Sequence, residues 1–349
     1  MNQKYWSRRA ASITPYVAGE QPKLANLVKL NTNENPYPPS PRVREVLEGF
    51  DPALLRLYPE PESDALRAAI GQANGLPADW VFAGNGSDEV LALCFQSFFD
   101  GDLVFPDITY SFYPVWAQLY GITCRQIALN QDFTLPTQQF VGQTNVVFPN
   151  PNAPTSMAIS LDEVEQIVRT ASGVVVVDEA YIAYGGQTAL PLLQKYDNLV
   201  IVRTFSKSHS LAGLRVGYAL AHPDLIAALR CVKDSFNSYP LDKLAQAAAA
   251  AAIADSAYTE GVLQKIVATR QRTAAALQEL GFAVLPSSAN FLFCAHRQVS
   301  AASLMAQLRE DGIIVRHFSK PRIENWLRIT IGTDAEMERL LARLKEILP

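Results

Sequence analysis

Lys207 lies in the run Thr204-Phe205-Ser206-Lys207-Ser208-His209-Ser210, just after an apolar stretch and shortly before Arg215. A lysine amine attacks carbonyls and forms an imine when its surroundings lower its pKa from the free value of roughly 10.4. The hydroxyls and the guanidinium around it suit a phosphate. Together they describe a tether for a carbonyl-bearing, phosphorylated cofactor. A solvated lysine at a strand end is the plain alternative, and the other candidate residues bear on the choice.

Asp178 ends the run Val174-Val175-Val176-Val177, so its carboxylate emerges from a strand with apolar residues on both faces. Taken alone it also fits a helix N-cap. A buried carboxylate calls for a cation, and a protonated pyridine nitrogen would serve. At about 4 Å and an effective dielectric of ~20 the attraction is roughly 4 kcal/mol, enough to raise a pyridine pKa by about three units. Gly84-Asn85-Gly86-Ser87-Asp88-Glu89 joins an apolar strand to a helical segment, placing the N–H groups of Ser87 and Asp88 where a phosphate binds. Glu89 stands where a dinucleotide fingerprint needs a third glycine, which argues against a nicotinamide cofactor. Tyr110 offers an aromatic face, Asn152 an amide near the ring, and Tyr181 a phenol three residues past Asp178.

Arg328, inside the strand-like Trp326-Leu327-Arg328-Ile329-Thr330-Ile331, and Arg316, after Ile313-Ile314-Val315, need anions. Their planar guanidinium groups suit a carboxylate or a phosphate. A salt bridge to a neighbouring acid is the structural alternative, more so for Arg316.

These groups need a frame. The 349 residues, 49% of them hydrophobic, suffice for two domains. Residues 1–44, rich in Pro, Asn and Tyr, should form an arm lying on the small domain and on a partner subunit. Residues 45–240 should form a large α/β domain. Short apolar runs at Asp79-Trp80-Val81-Phe82-Ala83, Asp102–Phe105, Asn145–Phe148, Val174–Val177 and Leu199–Val202 alternate with helical stretches such as Leu161 to Ser172, giving a mostly parallel sheet covered on both faces. Residues 241–349 should form a smaller α+β domain, opening with the alanine-rich Leu244 to Ala254 and closing with an amphipathic helix from Asp334.

A net charge of −4 without a dense basic run argues against nucleic acid as a partner. No apolar run approaches a membrane span, and the polar N-terminus lacks an export signal, which points to the cytoplasm. Cys94, Cys124, Cys231 and Cys294 have no ligand spacing among themselves or with the four histidines. They read as reduced, buried thiols, and no metal site is expected.

With Asp178, Lys207 and Arg215 in this order, each near a strand end, the chain resembles the fold-type I pyridoxal-phosphate aminotransferases, and within them the histidinol-phosphate branch. The resemblance runs from Thr14-Pro15-Tyr16 and Asn33-Glu34-Asn35-Pro36-Tyr37, through Tyr58-Pro59-Glu60, to Leu327-Arg328-Ile329-Thr330. It implies that Lys207 carries pyridoxal 5'-phosphate as an imine and then shuttles a proton. It implies further that Asp178 pairs with the pyridine nitrogen, Tyr181 with the phenolic oxygen, and that Tyr110 stacks on the ring. Ser87, Asp88, Ser206 and Arg215 would hold the cofactor phosphate, joined by Tyr58 from the second subunit of a homodimer. Tyr16, Arg316 and Arg328 would bind a substrate phosphate, which points to transamination of L-histidinol phosphate with 2-oxoglutarate in histidine biosynthesis. In the wider family the arginine matching Arg328 binds a substrate carboxylate, so an aromatic or broad-range aminotransferase and a phosphothreonine-type decarboxylase are the rival readings. Where the family has Asn-Pro-Thr-Gly this chain has Ala153-Pro154-Thr155-Ser156. Asn152 is the expected substitute, and if it does not reach the ring more weight falls on Tyr181.

Overall fold

The computed structural model describes residues 4–23 and 26–349. Among the described residues twelve strands follow in chain order: β1 (Val28–Leu30), β2 (Val81–Asn85), β3 (Leu103–Pro106), β4 (Cys124–Ile127), β5 (Asn145–Pro149), β6 (Val175–Asp178), β7 (Leu199–Thr204), β8 (Val216–Ala221), β9 (Phe282–Val284), β10 (Phe291–His296), β11 (Ile313–His317) and β12 (Leu327–Thr330).

Seven of them form one sheet in the order β2-β8-β7-β6-β5-β3-β4. All its pairings are parallel except those of β8, which runs antiparallel to both neighbours. Successive side chains of a strand face opposite ways, and here both faces are covered. Val175, Val177, Leu199 and Ile201 pack into one core, while Val176, Val200 and Val202 pack into the other. The unbroken apolar runs in the sequence are the signature of this two-sided burial. A doubly wound α/β sheet collects ligands at the carboxyl ends of its strands, and β6 and β7 deliver Asp178 and Thr204 to that edge.

The second sheet has the order β1-β11-β12-β10-β9. Its first strand comes from the N-terminal arm and runs parallel to β11, with Val28 opposite Ile313. The remaining pairs are antiparallel. The 24-residue helix Ser256–Glu279 and the terminal helix Asp334–Ile347, closed by a Thr333–Glu336 capping box, cover this sheet.

Several details depart from the sequence reading. The arm, for which no element was expected beyond its docking, contains the short helix Arg8–Ser12 besides β1. Asp79 and Trp80 belong to a 3₁₀ turn begun by Pro77, so the strand starts at Val81. The alanine-rich helix Lys243–Ile253 buries Ala245, Ala248, Ala249 and Ala252 in the core of the seven-stranded sheet, on the large-domain side of the expected division at 240. Cys124 and Cys231 are exposed rather than buried, the first on an edge strand and the second on a helix's solvent side, while Cys94 and Cys294 are buried. No helix among the described residues is long and apolar enough to cross a membrane.

Candidate active site

At the carboxyl edge of the large sheet lies a cavity of about 300 Å³, closed on its far side by the arm and by β11 and β12. Lys207 reaches it from the short helix Phe205–Ser208, which starts where Thr204 caps the N–H of Ser206. The Lys207 ammonium donates to the carbonyl of Thr32 at 3.0 Å, and Asn35 holds the Lys207 carbonyl at 3.1 Å. Burial, followed by the nearby Arg328 charge, pushes the amine down to about 8. The amine is therefore far more often unprotonated, and nucleophilic, near neutral pH than a free lysine is.

Asp178 is 5% exposed. Its carboxylate accepts hydrogen bonds from the Tyr113 hydroxyl at 3.1 Å and the Ala180 N–H at 3.0 Å. Burial raises it to about 6 in spite of those bonds, and the charges acting on it, Asp88 and Glu179, are both negative. No cation among the described residues relieves it. A cationic ring nitrogen facing Asp178 is the partner this geometry lacks.

The phosphate end is built from three segments. Helix Gly86–Phe98 begins without a side-chain cap from Asn85, leaving its first N–H groups, those of Ser87 and Asp88 included, aimed at the cavity. Arg215, held in a left-handed conformation (φ 55°), points its guanidinium at Asp88 (3.1 Å) and at the Ser206 hydroxyl (3.5 Å). Gly86 and Gly217 make room for this cluster. A Cβ on Gly86 would run into the Arg215 guanidinium, and one on Gly217 would strike the Gly86–Ser87 backbone. Gly217 was not anticipated from the sequence, because its need for a bare α-carbon arises only when β8 lies against that helix.

Tyr110 donates to Asp88 at 2.5 Å and presents its ring to the cavity. The Tyr181 hydroxyl accepts from the Asn33 amide at 2.9 Å, and its ring meets Phe291 edge-on with centroids 5.1 Å apart. Arg316 and Arg328 sit directly opposite each other across β11 and β12. Neither has a carboxylate partner among the described residues. Arg328 donates one bond to the Asn31 carbonyl (2.8 Å), leaves its Nε without a partner, and packs over Phe291 and Phe318; Arg316 also packs over Phe318. Like charges placed opposite one another are unfavourable without an anion between them. Tyr16 lines the same region and stacks on Phe112 at 4.2 Å.

Two expected residues are not brought into the cavity. Asn152 spends both amide hydrogens on the Ile108 carbonyl (3.0 Å) and Thr155 Oγ1 (2.9 Å) and faces a separate pocket, so Ala153 is the residue lining the site. Its assignment to the cofactor ring is therefore corrected: its donors are already engaged. Tyr58 is 78% exposed and stacks on Tyr239 at 4.7 Å, outside this chain's own cavity. Thr32, Asn33 and Tyr113, none of them anticipated as contacts, hold Lys207, Tyr181 and Asp178 respectively.

Residues 25–344 match the family described as aminotransferase class I and II. The chain is 52% identical to "Histidinol-phosphate aminotransferase 2" of Dechloromonas aromatica (strain RCB), covering 99% of each chain, and 53% identical to the protein of the same name from Thiobacillus denitrificans, covering 99% of this chain and 98% of that one. Among solved structures, histidinol-phosphate aminotransferase from Sinorhizobium meliloti in complex with pyridoxal-5'-phosphate superposes with a TM-score of 0.81 at 25% identity, over 92% of this chain and 90% of that chain.

Proposed function

We propose that this chain, which belongs to the aminotransferase class I and II family, transfers the amino group of L-histidinol phosphate to 2-oxoglutarate with pyridoxal 5'-phosphate as cofactor, a step of histidine biosynthesis. One observation supports the phosphorylated substrate above the rest. Arg316 and Arg328 face each other with Tyr16 beside them, and neither forms an ion pair with a carboxylate among the described residues. A dianionic phosphate matches two guanidinium groups better than a single carboxylate does.

Pyridoxal phosphate, when bound, supplies an electron sink conjugated to the substrate Cα. The chain's residues do the rest. Arg215, the Ser206 hydroxyl and the N–H groups of Ser87 and Asp88 grip the cofactor phosphate. Asp178 would hold a proton on the ring nitrogen, Tyr181 would donate to the ring oxygen, and Tyr110 would stack against the ring. With the group bound, the Lys207 amine would take the proton from the substrate Cα and return it at the adjoining cofactor carbon, C4′, as general base and acid.

In this reading residues 1–44 form the arm, the large domain runs on through the alanine-rich helix Lys243–Ile253 before the small domain begins, and the enzyme works in the cytoplasm on small charged substrates. It is a homodimer in which Tyr58 of each subunit completes the other's phosphate site, leaving its own cavity without it.

Half-reactions test the assignment. Histidinol phosphate mixed with the holoenzyme should convert the aldehyde form of the cofactor to the amine form, read by visible absorption, much faster than phenylalanine does. Equal efficiency with phenylalanine would overturn the assignment in favour of an aromatic aminotransferase. Lys207→Ala should remove both the visible band of the lysine-bound cofactor and turnover.

A further inference from the structure

The Tyr181 hydroxyl has one bond partner among the described residues, the Asn33 amide, from which it accepts. Its own hydrogen is thus left to point into the cavity. The orientation of Asn33 is fixed by its other end. Thr330 Oγ1 accepts from the Asn33 backbone N–H at 3.0 Å and donates its single hydrogen to Asn33 Oδ1 at 3.0 Å, so Nδ2 is the atom turned toward Tyr181. Asn290 holds the Asn33 carbonyl at 3.0 Å, and the residue is 1% exposed. Asn33 has φ 57°, a left-handed conformation that asparagine tolerates. Among the described residues no other side-chain amide is offered to this hydroxyl: residue 153 is alanine and the Asn152 amide is engaged elsewhere.

We infer, resting on the reading that Tyr181 donates to the ring oxygen of the cofactor, that Asn33 is a positioning residue that strengthens that donation. It ties the donation to the five-stranded sheet through Thr330. A hydroxyl that accepts a hydrogen bond becomes a better donor, because each bond in a chain polarises the next. Thr330 lies on β12 and Tyr181 follows β6, so one amide joins the two sheets at the ring oxygen. A strong donor stabilises negative charge on that oxygen and loosens the proton shared with the neighbouring nitrogen. Removing Asn33 therefore tightens that proton.

The measurement is the pH midpoint of the visible absorption change of the purified holoenzyme. Tyr181→Phe sets the scale, with an expected rise of about one pH unit, a tenfold change in the protonation equilibrium. Asn33→Gly suits the left-handed backbone and removes the amide without adding charge; it should raise the midpoint in the same direction by a smaller amount, about 0.3 unit. An unchanged midpoint in Asn33→Gly, with Tyr181→Phe shifted, overturns the role of Asn33 and leaves the site reading intact. An unchanged midpoint in Tyr181→Phe overturns both. Should Asn33→Gly fail to fold, Thr330→Val decides alone: a raised midpoint supports the relay and an unchanged one overturns it.

Discussion

Asp178 is a carboxylate that forms no ion pair with a cation among the described residues. A carboxyl raised from 3.8 to about 6 binds its proton more tightly in the folded chain than in the unfolded one. The destabilisation is absent below about pH 3.8, grows between there and pH 6, and is fully present above. It amounts to roughly 2–3 kcal/mol for a shift of that size. Asp178→Asn should therefore raise the thermal midpoint of the cofactor-free protein at pH 7.5, and raise it less at pH 5. Pyridoxal phosphate should stabilise the wild type more than the variant, since only the carboxylate meets a ring cation. A variant less stable than wild type at pH 7.5 in the cofactor-free state would show that the carboxylate is already paired.

At the scale of elements, the phosphate site depends on how closely β8 approaches the start of helix Gly86–Phe98. Gly217→Ala would push a methyl group into the Gly86–Ser87 backbone, and the strand or the helix must yield. The N–H groups then lose their aim, and the Kd for pyridoxal phosphate should rise about tenfold, equivalent to about 1.4 kcal/mol. Pyridoxal, which lacks the phosphate, should lose less, and equal losses for both ligands would place the damage elsewhere. The sequence showed the helix start through Gly84-Asn85-Gly86-Ser87, and showed β6 and β7 because two-sided burial makes them apolar throughout. It hid β8, whose Gly217, Ala219 and Ala221 give little hydrophobic signal, and the edge strand β4, where Cys124, Arg125 and Gln126 are exposed. Lys207, Asp178 and Arg215 were legible because their chemistry follows from strand ends close in the chain. Asn33 was not, because its contacts with Tyr181, Asn290 and Thr330 are set by how the arm docks across two sheets.

For the molecule as a whole, Leu54, Leu55, Leu57, Tyr58, Phe236 and Tyr239 are exposed, and Tyr58 stacks on Tyr239. Exposed apolar side chains in such number mark an interaction surface, and a second copy of the chain is the occupant that would carry Tyr58 to a phosphate site. Sharing of that kind has a stoichiometric consequence. In a hybrid dimer of Lys207→Ala and Tyr58→Phe chains, one site has lost both groups and the other has an intact Lys207 from one chain and an intact Tyr58 from its partner. Random reassortment of equal amounts makes half the dimers hybrids, so roughly a quarter of all sites are restored by two-fold symmetry. Mixing the two variants, unfolding and refolding them together, should recover activity toward that fraction, above the mean of the two variants refolded separately. If Tyr58 instead serves its own chain, every site keeps one defect and the mixture shows only that mean.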